Sequence, residues 1–163
     1  MRPLSSILNS AMIDYVSANG RASGSMRAAL DAVESPIEAQ MMMHITRYDF
    51  VVSTDRDLPF DEAVKRARSC VGRVCVFPQV LVGNYRPDFL FLRASEKGAT
   101  GLVVEADGKD WHYDSEAQIA RDNDRLATFA KHRIYTMRFL GREIYQNCAL
   151  VMSHVIDFFD GKR

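Results

Sequence analysis

Apolar residues return at three- and four-residue intervals through the first third of the chain. Leu4, Ile7, Leu8, Ala11, Met12 and Tyr15 predict an amphipathic helix over Leu4–Ala18. Asn19-Gly20 closes it, and Arg21–Ser25 reads as a turn or short linker. Met26–Val33 is expected to be a second short helix. Ser35-Pro36-Ile37-Glu38 carries three helix-start cues together: a capping serine, proline at the first helical position and glutamate at the third. That helix is expected to run through Ile45. Asp55–Phe60 reads as loop, and Asp61–Arg68 as a short helix.

The period then changes. Arg73–Val82 is strand-like, with Pro78 marking an edge or bulge, and Gly83-Asn84 is a turn signal. Arg86–Leu92 is apolar on both faces after Asp88, the pattern of a central strand. Ser95–Thr100 turns the chain into a strand that begins at Gly101, so a hairpin is expected to continue as a meander. Ser115–Lys131 predicts a helix with Ile119, Leu126, Phe129 and Ala130 on one face, Asp122 inside that inward stripe and Asp124 outside it. Ile134–Leu140 is a further strand, Gly141 a break, and Glu143–Phe159 a final helix. The expectation is an α/β fold, a mixed sheet of about four strands flanked by helices. Residues 1–34 form a helical extension to a main domain over 35–163.

Composition narrows this only a little. At 163 residues, 47% of them hydrophobic, the chain is long enough for one substantial core and too apolar for disorder. Lysine plus arginine equal aspartate plus glutamate, 21 each, so net charge gives no hint of nucleic acid, and a nucleic-acid binder would need local patches. Three cysteines without C-x-x-C spacing suggest reduced thiols and no structural zinc. No apolar run approaches the roughly 20 residues that cross a bilayer, and no secretory signal is visible. A cytoplasmic protein without a membrane partner is expected.

The candidate chemistry lies in Gly101–His112, GLVVEADGKDWH. Alternation along a strand points Glu105 and Asp107 the same way, with Val103 behind them, while Leu102, Val104 and Ala106 face the other side. Two carboxylates at the exit of a buried strand repel one another, and burying either costs several kcal/mol unless it is paired. Such a pair holds a divalent cation or works as acid and base. Plainer alternatives stand beside each candidate. Glu38 completes a capping box, and Asp88 suits a strand-start turn. Asp107-Gly108 is a common turn pair, and Asp122 has Arg121 and Arg125 within ion-pair spacing. His112 and Trp111 suit a packed loop, and Gln79 a structural role. His44, His132 and His154 stand alone and read as ordinary.

Taken in order, Glu38, Gln79, Arg86-Pro-Asp88, Val104-Glu-Ala-Asp-Gly108, His112, Asp122-x-x-Arg125, Thr136-Met-Arg-Phe139 and Glu143-Ile144 resemble the PD-(D/E)xK restriction-endonuclease-like superfamily. The nearer likeness is to its branch around the very-short-patch-repair endonucleases and the EDxHD homing nucleases. The resemblance covers roughly Ser35 to Phe159. It implies a restriction-endonuclease-like core and a magnesium-dependent DNA endonuclease, with manganese as a substitute. Asp88 and Glu105 would be the metal carboxylates and His112 a general acid or base. Asp122 would orient His112 or hold a metal-bound water, and Glu38 and Asp107 would complete the set. Gln79, Lys109, Trp111 and Arg125 would contact substrate. One departure stands out: the superfamily's usual lysine, two after the glutamate, is Asp107 here. That leaves proton transfer to His112, Lys109 or a metal-bound water. The alternatives are a catalytically inactive nucleic-acid-binding or assembly module on the same fold, or a nuclease acting on RNA. A homodimer or a partner subunit is compatible with each.

Overall fold

A computed structural model describes residues 24–107 and 115–161. The expected helix Leu4–Ala18, and Lys109, Trp111 and His112, lie outside the described residues. In chain order the elements are α1 (Gly24–Asp31), α2 (Pro36–Ile45), β1 (Val51–Val52), α3 (Phe60–Arg68), β2 (Val74–Pro78), β3 (Phe89–Ser95), β4 (Gly98–Asp107), α4 (Glu116–Lys131), β5 (Ile134–Leu140) and α5 (Gly141–Asp160).

The strands form one sheet in the order β1-β2-β3-β4-β5. The outer pairs β1–β2 and β4–β5 are parallel, and the central pairs β2–β3 and β3–β4 are antiparallel. The sheet is therefore mixed and has five strands where about four are expected. The extra strand is Val51-Val52, two residues long, too short to show any alternation. It docks on β2 through Val51–Cys75 and Val52–Val76.

Alternation along the strands divides the core into two layers. Phe89, Phe91, Leu102 and Val104 face Met41, Met42 and Ile45 of α2 and Ile144, Val151 and Met152 of α5. Leu90, Leu92 and Val103 face the other way, onto Ala63 and Ala67 of α3 and Phe129 of α4. At about 25 cal/mol per Å² of apolar surface removed from water, this double-sided burial is the main drive to fold. Among the described residues no helix is long and apolar enough to cross a membrane.

Three local expectations need correction. The strand over Arg73–Val82 stops at Pro78, and Gln79 takes the left-handed conformation (φ 52). The Gln79 N–H donates to the Asp88 carbonyl at 3.0 Å, so the Pro78 nitrogen faces the opposite edge, where β1 has already ended and no donor is needed. Second, Ser95 and Gly98 pair directly, so the turn before β4 is only Glu96-Lys97. Third, α4 buries only part of the expected stripe. Ile119 and Leu126 are each 43% exposed and Ala130 is exposed, whereas Phe129 is fully buried and Asp122 and Arg125 are partly buried. The inward line is Asp122–Arg125–Phe129, three and four apart. Polar residues occupy it because Arg138 of β5 lies opposite and pairs with Asp122.

Candidate active site

β2 and β4 end, β3 begins and β5 ends on the same rim of the sheet, a consequence of the strand directions. Along that rim a row of polar side chains crosses the sheet from α2 to α4.

Glu38 opens the row from the first turn of α2. Its N–H donates to Ser35 Oγ at 3.2 Å, so the predicted serine cap forms. Its carboxylate does not return to Ser35. Instead Oε2 accepts the Glu34 N–H at 3.0 Å and Gln79 Nε2 at 2.9 Å. Both side chains are buried, Glu38 6% and Gln79 2% exposed. Glu38 is thus part of the helix start and part of the rim at once.

Asp88 precedes β3. Its Oδ2 accepts the Ala106 N–H of β4 at 2.7 Å, which pins it to the neighbouring strand. Extending the Phe89–Val104 register by one step sets it opposite Glu105. Burial pushes the Asp88 carboxyl up to about 6. The Ala106 N–H opposes the rise, the Glu38 and Asp107 charges add to it, and Arg125 counters.

Glu105 is 7% exposed. Burial raises its carboxyl to about 7 against the pull of Arg125, with Asp88 pushing the same way as burial. Arg125 Nη2 lies 3.5 Å from Glu105 Oε1, yet the geometry is not that of a hydrogen bond. Among the described residues Oε1 has no hydrogen-bond partner, and neither does Arg125 Nε. A buried acceptor without a partner is costly. Asp107, half-buried at the end of β4, adds its charge to the fields at both Asp88 and Glu105.

Asp122 joins the row through a cation rather than through the acids. Arg138 Nη1 and Nη2 donate to Asp122 Oδ2 and Oδ1 at 3.1 and 3.3 Å. This bidentate pair holds the Asp122 carboxyl below its ordinary value. Of the residues expected from the sequence, the fold therefore brings together Glu38, Gln79, Asp88, Glu105, Asp107 and Arg125, and holds Asp122 beside them through Arg138.

Arg138 was expected only as part of the Thr136–Phe139 segment, with no role of its own. Parallel pairing of Glu105 with Arg138 across β4 and β5 makes it a member of the row. The signal in the sequence was an arginine interrupting an otherwise apolar and neutral strand, Ile134–Leu140.

Among the described residues no group of three or more acids, histidines and cysteines gathers as a closed metal cage would require. The set that does exist, two adjacent carboxylates with one unpartnered oxygen, suits magnesium, which keeps several waters and takes one or two carboxylates. No protein-family model, no curated protein and no solved structure matches the chain.

Proposed function

We propose that the chain is a metal-dependent DNA endonuclease with a restriction-endonuclease-like core, hydrolysing phosphodiester bonds at the rim that carries Asp88 and Glu105. The observation that carries the reading is the juxtaposition of buried Glu105 and part-buried Asp88 across β3 and β4, both carboxyls raised toward neutrality. Burial against each other is unfavourable unless a cation joins them. The ordered resemblance of the surrounding residues to the PD-(D/E)xK superfamily supports the same conclusion.

In this reading Asp88 and Glu105 hold magnesium. When bound, that ion polarises the scissile phosphate and lowers the pKa of an attacking water. The Ala106 N–H fixes the Asp88 carboxylate, and Gln79 fixes Glu38 behind it. Arg125 and Arg138 supply positive charge next to the acids, where a phosphate would otherwise be repelled. Asp122 keeps the Arg138 fork in one orientation. His112 and Lys109 follow β4 by a few residues and are the proposed proton carriers.

A second reading has an observation of its own. Arg125 already lies within ion-pair distance of Glu105, which is how a fold without a metal would neutralise that carboxylate. A nucleic-acid-binding or assembly module would need nothing more.

Cleavage of supercoiled plasmid in magnesium or manganese separates the two. Wild type is expected to produce nicked or linear DNA, and Glu105→Gln and Asp88→Asn to leave it intact while keeping wild-type circular dichroism. Undiminished cleavage by Glu105→Gln would remove the rim from the mechanism. Failure of wild type on DNA and RNA substrates of varied structure, with no calorimetric binding of either metal, would leave the binding module.

A further inference from the structure

At the end of the sheet opposite the acids, β4 outruns β5. Their register begins at Gly101–Ile134, so Gly98, Ala99 and Thr100 have no neighbouring strand on that side. The notch is a cleft of about 520 Å³ whose lining includes Ser95, Lys97, Thr100, Arg133, Ile134 and Tyr135. That volume lies in the range of small-molecule sites.

Two of its lining residues, Lys97 and Arg133, are cations. Arg56, Lys65, Arg66, Arg73, Arg86, Arg125 and Arg138 are each within ion-pair distance of a carboxylate. Among the described residues Lys97 and Arg133, like Arg68, Arg121 and Lys131, have no such partner; Lys97 and Arg133 are both exposed and line the same cleft. Two uncompensated cations around one concavity concentrate positive potential there. The C-terminus of α4 also points to this end, and its partial negative charge is only about half a unit. The Phe129 and Ala130 carbonyls are moreover occupied by the His132 and Arg133 N–H groups, both at 3.0 Å.

The third feature is an aromatic ring. Tyr135 is held edge-to-face by Phe158, with centroids 5.2 Å apart, and remains 61% exposed. An exposed ring beside two cations is the pairing that recognises a base together with its phosphate.

We infer that this notch binds a 5′-phosphorylated nucleoside, free or at the end of a nucleic-acid strand, with Lys97 and Arg133 on the phosphate and Tyr135 against the base. The inference does not rest on the nuclease reading, because none of the rim acids lines the notch.

The test is calorimetric titration of the full chain with adenosine 5′-monophosphate, a short 5′-phosphorylated oligonucleotide, its unphosphorylated form, and inorganic phosphate. Saturable binding of one or both phosphorylated nucleosides is expected, the tighter one identifying the source. Lys97→Ala and Arg133→Asn should each weaken it about tenfold; asparagine is chosen because Arg133 has φ 57. Tyr135→Ala should weaken nucleotide binding and leave any inorganic phosphate binding unchanged. Three results would overturn the inference: no saturable binding of either phosphorylated nucleoside, binding indifferent to Lys97→Ala, or inorganic phosphate binding as tightly as the nucleotide.

Discussion

Asp88 stands opposite Glu105, one step past the Phe89–Val104 pair of the β3–β4 ladder, and burial raises both carboxyls, to about 6 and about 7. Their ordinary values are 3.8 and 4.5. Between roughly pH 4 and pH 7 the folded chain therefore holds protons that the unfolded chain has released. Folding stability should fall as pH rises through that window and level off above it. Each group opposes folding at pH 8 by an amount on the order of 3 kcal/mol. Glu105→Gln removes one such charge with little change of shape. It should raise the melting temperature by a few degrees at pH 8 and by little at pH 4.5. A lower melting temperature at both values would show that the ionised carboxylate is already well compensated.

Arg125 is the nearest cation to Glu105 and the largest influence opposing its burial. Arg125→Gln should move the Glu105 titration upward from about 7, followed by the carboxyl carbon in nuclear magnetic resonance. If the titration stays in place, the 3.5 Å approach of Arg125 is electrostatically silent and Arg138 carries the compensation.

The rim could be read from the sequence where its residues lie on strands, and less well where they lie on a helix. Glu105 and Asp107 follow from simple alternation behind Val103. Asp88 follows from a central strand that opens with a polar residue. The two layers of core were readable for the same reason, since Phe89–Leu92 is apolar on both faces. The α4 stripe is legible at Asp122 and Phe129 but not at Ile119 and Leu126, which have the spacing of a buried face and are exposed. Helical spacing does not say which of two possible faces meets the sheet. Arg138, on the neighbouring strand and sixteen residues from Asp122 in sequence, decides it by pairing with Asp122. Val51-Val52 and the left-handed Gln79 have no periodic signal at all. Both arise from tertiary packing, β1 against β2 and Gln79 against Glu38.

Gln79 combines two opposing contributions that substitution can separate. Its side chain donates to Glu38, while its backbone sits at φ 52, which costs an L-residue about 1–2 kcal/mol. Gln79→Ala loses the hydrogen bond and keeps the backbone cost. It should destabilise by about 1.5–3 kcal/mol, the range for a bond to a charged acceptor. Gln79→Gly loses the same bond and relieves the backbone, so it should be the milder variant by about 1 kcal/mol in urea denaturation. The reverse order would mean that the left-handed turn carries no strain.

Gly101 shows where the ladder tolerates no side chain. A Cβ there would meet Ile134 Cγ1 at 3.0 Å and Leu92 Cδ2 at 3.2 Å, both packed in the layer beneath α3 and α4. The glycine is required by the close approach of β5, since its backbone dihedrals are ordinary for a strand. Gly101→Ala should therefore destabilise by about 1–3 kcal/mol through overpacking. Ile134→Ala should cost about 2–5 kcal/mol on its own by leaving a cavity. In the double variant the new methyl group occupies space that the isoleucine vacated, so the two costs should fall short of their sum by about 1 kcal/mol. Strict additivity in a double-mutant cycle would show that the sheet accommodates the methyl group by shifting β5 instead. In that case the β4–β5 register that sets Glu105 beside Arg138 would be softer than the packing around Gly101 requires.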